Sequence, residues 1–264
     1  MVVLAVDAET ELPSETNAVS RRGSVVLRSP GPHTAALHGL LRYLDERGFA
    51  GAPRVIGSGF DEDGRETLSF VEGDQLDPRV PTEEEAWAVG SQLRQLHDLT
   101  EAFVAPSDAA WQPSFVRSLG NPHRIGHCDA APWNVVFSPT GDCSLIDWEA
   151  AGPVDPVIDL AHAAWLNPRL FSDDIAEKEN LPPLGVRVRV LRALVDGYAL
   201  PATERSTLFD RMIEVAVHSI AAEADEGRVT QETASSPALW GMAWRGRSAA
   251  WMLTNGEAIR AALS

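Results

Sequence analysis

Apolar residues keep two different periods along this chain. Up to about residue 72 they come in short runs: Val25-Val26-Leu27, Arg54-Val55-Ile56-Gly57 and Thr67-Leu68-Ser69-Phe70-Val71. Runs rich in β-branched and aromatic residues, bounded by turn residues, read as strands. Asp61-Glu62-Asp63-Gly64 is a turn between the last two, and Gly73-Asp74 ends the pattern. Two further short β-like runs are expected between Leu12 and Arg28, and Met1–Asp7 reads as a first strand. One helical period interrupts them. Leu37, Leu40, Leu41 and Leu44 recur at helical spacing after Thr34, the expected cap, and stop at Gly48. A small sheet with one helix is the expectation for residues 1–72.

Past that point the helical period dominates. Thr82 and Glu85 have the spacing of a capping box, and Trp87, Val89, Leu93 and Leu96 form the stripe behind it. Further helices are predicted at about 155–166, 185–199, 204–225 and 237–262. Trp240, Trp244 and Trp251 share helical spacing, which reads as core. The stretch from Asn167 to Leu184 is long, polar and Pro-rich, and is expected to be a mobile loop or a cover over a bound molecule. In the middle, Val135-Val136-Phe137 and Ser144-Leu145-Ile146 flank the turn signal Ser138-Pro139-Thr140-Gly141-Asp142. That is a β-hairpin with Asn134 entering one strand and Asp147 leaving the other.

The hairpin gives the chemistry its geometry. Antiparallel strands bring those two ends together. Asp129 lies five residues before Asn134, and Asp147 thirteen after it. One carboxylate can accept a hydroxyl proton, while an amide oxygen and a second carboxylate are hard ligands for magnesium on phosphates. The pattern suits phosphoryl transfer from a nucleotide.

Three elements recur in order: His127-x-Asp129-x-x-x-x-Asn134, then Ile146-Asp147-Trp148-Glu149, then Asp155-Pro156-x-x-Asp159-Leu160-Ala161. Together they resemble the aminoglycoside phosphotransferase and choline kinase-like superfamily. The resemblance implies an α+β, two-lobed, protein-kinase-like fold. Residues 1–72 would be a β-rich nucleotide lobe and 73–264 a larger helical lobe with catalytic loop and acceptor site. It implies ATP or GTP and Mg2+ as cofactors. Asp129 would be the catalytic base, Asn134 and Asp147 the metal ligands, and His127 and Asp159 the supports of the loop. Ser24–Arg28 resembles the strand carrying a phosphate-binding cation, and Ser69, Phe70, Val71 and Glu72 the hinge whose backbone holds the adenine edge.

Two departures are visible. The superfamily places a Lys on the nucleotide-lobe strand and pairs it with a Glu on the next helix. Here the one Lys, Lys178, follows the catalytic motifs, so Arg28 is the substitute by position, and His38 stands where the partner is expected. Arg holds phosphate with a planar fork, a different geometry from an ammonium. The stretch expected over the phosphates, Pro13-Ser14-Glu15-Thr16-Asn17-Ala18, has no glycine.

Composition narrows the partners. Of 264 residues, 44% are hydrophobic and 23% charged, as in folded globular proteins. No apolar run approaches the roughly 20 residues of a membrane span. The N-terminus lacks a basic flank, and two cysteines make no disulfide framework, so a cytoplasmic location is expected. The net charge of −16 argues against a nucleic-acid partner. Residues 1–72 carry −4 and the remainder −12, which points toward a cationic acceptor. Only seven residues separate Asp147 from Asp155, too few for the activation segment a protein substrate needs. The acceptor is therefore expected to be a small-molecule hydroxyl, on an antibiotic (aminoglycoside or cyclic peptide) or on a metabolite. The rival is a kinase-fold immunity protein that sequesters a small molecule without phosphorylating it. His123, His127, Asp129 and His162 suggest a zinc cluster, but Pro122 and Pro132 oppose the helix such spacing needs.

Overall fold

The computed structural model describes residues 8–12, 18–228, 235 and 237–263. The expected strand at Met1–Asp7 and all but Ala18 of the Pro13–Ala18 stretch lie outside them.

The alternating runs form an antiparallel sheet of five strands: β1 (Glu9–Leu12), β2 (Val19–Arg22), β3 (Val25–Arg28), β4 (Val55–Phe60) and β5 (Glu66–Ser69). Their order is β1-β2-β3-β5-β4, so β3 and β5 are neighbours. That pairing sets Arg28 opposite Glu66. Between β3 and β4 runs α1 (Thr34–Glu46), which buries Leu37, Leu40, Leu41 and Leu44. His33, not Thr34, is its N-cap, because the Thr34 hydroxyl accepts the Gly31 N–H behind it instead of capping the helix ahead. Gly48, at φ +74°, ends it in the left-handed region that favours glycine.

Helices dominate the rest. The α2 helix (Glu83–Thr100) opens with the expected capping box. Its buried face is Ala86, Val89, Gly90, Leu93, Leu96 and His97. Trp87, one residue round from Ala86, points outward at 52% exposure, so it is not part of the stripe. A short strand β6 (Asp74–Gln75), the pair β7 (Arg124–Gly126) and β10 (Gly152–Val154), and the hairpin β8 (Val135–Phe137) and β9 (Cys143–Leu145) flank the segment that holds Asp129, Asn134 and Asp147. β6 pairs with β8, and β10 with β7. Then come α3 (Pro156–Leu166), α4 (Asp173–Lys178), α5 (Leu184–Tyr198), α6 (Ala202–Glu226), α7 (Pro237–Thr254) and α8 (Gly256–Leu263).

Two helical expectations change. The helix expected over 237–262 is broken at Asn255 into α7 and α8. The expected loop 167–184 contains α4 and is packed: Leu170, Phe171 and Ile175 are buried. Arg187 holds it from α5, donating to the carbonyls of Arg169 (2.8 Å) and Phe171 (3.2 Å). The tryptophans divide as well. Trp148, Trp165 and Trp251 are buried, whereas Trp240 is half exposed; the Trp244 side chain lies outside the described residues.

The sheet meets the helical part at the hairpin, where the Leu145 N–H donates to the Gly51 carbonyl at 2.9 Å. Cys128 and Cys143 are buried free thiols. Among the described residues no helix is long and apolar enough to cross a membrane.

Candidate active site

The loop between β7 and the 3-10 turn Pro132–Asn134 turns sharply, and Cys128 takes φ +63°. A non-glycine residue there is strained and needs compensating contacts. Asp159, fully buried on α3, supplies them. Its two oxygens accept the N–H groups of His127 and Cys128, each at 3.0 Å. His97 lies 3.0 Å from the same carboxylate, with Tyr198 behind it at 2.8 Å. Burial pushes Asp159 up, but the His97 hydrogen bond and nearby imidazoles outweigh this and hold it below the usual carboxylate range. Gly126 makes room: a Cβ there would sit 2.2 Å from Asp159 Oδ2. His127 is buried, its Nε2 3.0 Å from the Ile146 carbonyl and its ring edge-on to Trp148. Burial lowers its pKa, so it sits as a neutral strut between the loop and the hairpin.

At the hairpin base the N–H of Ile146, the residue before Asp147, donates to the Asn134 carbonyl at 2.9 Å. Asn134 donates Nδ2 to the Asp129 carboxylate (2.8 Å) and carbonyl (3.0 Å). Its amide oxygen remains as an acceptor. Asp147 takes φ +57°, and its side chain is 58% exposed. Asp129 is half-buried; burial raises its carboxyl to about 7, Asp147 adding to the rise and bonds from Trp133 and Asn134 opposing it. An amide oxygen and an exposed carboxylate are hard donors that suit a magnesium ion, which draws only one or two protein ligands beside phosphate oxygens and water. Among the described residues, no group of three or more His, Cys, Asp or Glu is arranged to hold a metal.

The nucleotide side differs from expectation. His38 does not meet Arg28; it lies 2.8 Å from Glu66, and Glu66 pairs with the Arg28 Nε. Arg28 is buried, its Nη1 3.1 Å from Glu149 and 3.8 Å from Asp147. Glu66 was hidden in the sequence because it belongs to no motif and acquires its partner through strand register. The hinge expectation needs revision too. The N–H groups of Ser69 and Phe70 donate to the carbonyls of Arg54 (2.8 Å) and Ser24 (2.7 Å), so the sheet uses both. Phe70 lies under the Arg21 guanidinium, which also pairs with Glu72.

Beside Asp129 opens a cavity of about 670 Å³. Phe115, Trp133, His162 and Trp165 wall it, with Glu226 and Arg245 at one side. Trp133, 40% exposed, points its indole N–H at the Asp129 carboxylate from 3.4 Å. His162 Nδ1 is buried without a partner among the described residues. Of these residues, only His162 carried a signal in the sequence reading, and that was the zinc pattern. The aromatic walls come from the loop at Phe115, the 3-10 turn Pro132–Asn134 and α3, which are apart along the chain.

Comparison with known proteins follows this geometry. Residues 100–205 match the model of the phosphotransferase enzyme family. The trifolitoxin immunity protein of Rhizobium leguminosarum bv. trifolii is 47% identical over 247 residues, 93% of this chain and 95% of that one. Among solved structures, a choline/ethanolamine kinase family protein from Mesorhizobium loti aligns with a TM-score of 0.61 at 20% identity, covering 97% of this chain and 92% of that one. An amicoumacin kinase in complex with AMP-PNP, Ca2+ and Ami aligns with a TM-score of 0.67 at 14% identity, covering 92% and 88%. At these identities the two structures establish a shared fold.

Proposed function

The chain belongs to the phosphotransferase enzyme family, and on that premise we propose that it moves the γ-phosphoryl of ATP or GTP to a hydroxyl of a small-molecule antibiotic. The observation that carries this reading is the position of Asp129. Its carboxylate faces an aromatic-walled cavity on one side and is tied by Asn134 to the base of the hairpin that ends in Asp147. The 47%-identical relative is named for immunity to trifolitoxin, which supports an antibiotic as the acceptor class.

In this mechanism Asp129 aligns the acceptor hydroxyl and takes its proton as the oxygen–phosphorus bond forms. The bond from the γ-phosphorus to the bridging oxygen breaks, and the nucleoside diphosphate leaves. Asn134 and Asp147 would hold Mg2+, which supplies charge neutralisation on the phosphates. Arg28 lies beside Asp147 and contributes a fixed cation. Asp159 and His127 keep the loop in its strained path. The adenine edge is left to the carbonyls of Ser69 to Glu72 and the amides of Val71 and Glu72. In domain terms, residues 1–72 carry the nucleotide and 73–264 the catalytic loop and acceptor. The work is positioning and electrostatics, in the cytoplasm, without a covalent enzyme intermediate.

A second reading has its own support: sequestration of the antibiotic without turnover, favoured by the absence of a Lys at Arg28. One experiment separates the two. The protein is incubated with trifolitoxin and Mg·ATP or Mg·GTP, and the toxin is weighed by mass spectrometry. A gain of one phosphate, reduced about 10²–10⁴-fold in Asp129→Ala while nucleotide still binds, supports catalysis. Trifolitoxin bound equally by both proteins and never modified supports sequestration.

A further inference from the structure

A buried guanidinium is costly unless its charge and its N–H groups are met. Arg28 is met by acidic groups from two directions. From the sheet comes Glu66, its cross-strand neighbour on β5. From beyond the hairpin come Glu149 and Asp147. The first contact is enclosed: Glu66 is 1% exposed, and the Nε2 of His38 on α1 lies 2.8 Å from its other oxygen, an ion-pair contact without hydrogen-bond geometry. The His38 ring is itself wedged, tilted against Phe60 at 5.2 Å and lying where a Cβ on Gly59 would stand. The second contact is open. Asp147 is 58% exposed, and its 3.8 Å approach is a charge contact rather than a hydrogen bond.

Two consequences follow from this asymmetry. The anchor of Arg28 lies in the sheet, so the cation needs no helix-borne glutamate to stay in place. Further, the exposed Asp147 carboxylate meets Arg28 only as a charge contact, so it is open to a divalent ion. Arg28 Nη2 is also buried with no partner among the described residues. A donor in that condition is what a phosphate oxygen or a water would satisfy.

We propose that Glu66, braced by His38, is the positioning residue that holds Arg28 for a nucleotide's phosphates. In the nucleotide-free protein Arg28 is the counter-cation of Asp147 and Glu149, and the metal–nucleotide displaces it from them. This rests on the phosphotransfer reading above. It assigns the missing Lys–Glu pair to an Arg–Glu pair within one sheet, with the helix contributing only the imidazole behind it.

Titration calorimetry tests it with two probes, MgCl2 alone and Mg·ADP, on the wild type and on Arg28→Met. The expected result has opposite signs. Arg28→Met removes the cation beside Asp147 and binds Mg2+ alone about tenfold more tightly, yet it binds Mg·ADP about tenfold more weakly. A folded Arg28→Met in which both affinities fall together, or neither moves, overturns the proposal, because a merely structural arginine gives one of those results. His38 provides a second arm that leaves the buried charges in place. His38→Ala is expected to weaken Mg·ADP, and His38→Gln, which restores a donor toward Glu66, to recover it; equal loss in both removes the positioning role. If the wild type binds no Mg·ADP, the phosphotransfer reading and the nucleotide half of the inference fall together. If it binds Mg·ADP and the variants do not differ, the inference alone falls.

Discussion

His162 shows how much a single buried side chain settles at this site. It sits on α3 in the wall of the cavity beside Asp129, edge-on to Phe115 and Trp165. Burial lowers its pKa from 6.5 to about 4, with Arg245 adding to the fall and Asp159 opposing it. An unfolded chain protonates this imidazole near its ordinary value, and the folded protein refuses the proton until much lower pH. Between those values the unfolded state binds more protons, so stability is intact above about 6.5 and is lost as pH falls toward 4. The shift corresponds to roughly 3 kcal/mol at most. Urea unfolding of the wild type and of His162→Phe at about pH 7 and about pH 5 checks it: the wild type is expected to lose more stability than the variant. Equal losses would mean the imidazole takes up its proton without resistance. Residues also differ in how legible they were. Asp129, Asn134 and Asp147 were readable because their spacing spans one hairpin, and a hairpin's geometry is local. Glu66 was not, since its meaning depends on β3 pairing with β5 across 38 positions of sequence. His162 raised only a zinc suggestion, because nothing in a lone His on an apolar helix tells that it walls a cavity.

Among the elements, α2 and α5 are packed backbone to backbone, and two glycines make this so. A Cβ on Gly90 would stand 1.9 Å from the Leu194 carbonyl oxygen, and one on Gly197 2.0 Å from that of Trp87. Neither neighbour is a flexible side-chain end, so the helices themselves would have to separate. Gly90→Ala and Gly197→Ala raise helix propensity by about 1 kcal/mol yet are expected to destabilise, by ~1–3 kcal/mol or more, because overpacking dominates. Urea midpoints decide it, and a stabilised variant would show that the helices have slack. The same contact explains why Trp87 misled the sequence reading. It falls beside the stripe, but glycine, not tryptophan, faces α5. Long helices were readable from period alone, and the capping box at Thr82 marked a start accurately. The six-residue α4 was not, since a segment that short shows no period, and its buried anchors Leu170 and Phe171 precede it. The break at Asn255 did carry a signal, the poor helix formers Thr254-Asn255-Gly256, but the apolar period on either side of it outweighed that signal in the sequence reading.

For the whole molecule the question is whether the β-rich and helical parts act as one body toward a nucleotide. Polar links join them at the site itself: the Leu145–Gly51 hydrogen bond and the approach of Arg28 to Asp147 and Glu149. A nucleotide held by hinge and Arg28 on one side and by Asn134 and Asp147 on the other would bind only when both parts are folded and apposed. Such binding stabilises the folded state by about 2.7 kcal/mol at a concentration near 100 times Kd. For a chain of this size, at about 2–4 °C per kcal/mol, that raises Tm by roughly 5–11 °C. The expected melt with Mg·ATP or Mg·GTP is therefore one transition, shifted upward as a whole, and Asp147→Ala is expected to abolish the shift. Calorimetric scanning distinguishes this from a nucleotide held by the sheet alone. In that case an early component would move while the helical part melts unchanged, and Asp147→Ala would leave the shift in place. The net charge of −16 bears on the same measurement. Most of the acidity lies outside residues 1–72, so a triphosphate approaches an unfavourable field unless its magnesium comes with it. Nucleotide without Mg2+ is accordingly expected to give no shift, which separates a metal-dependent site from simple anion binding at Arg28.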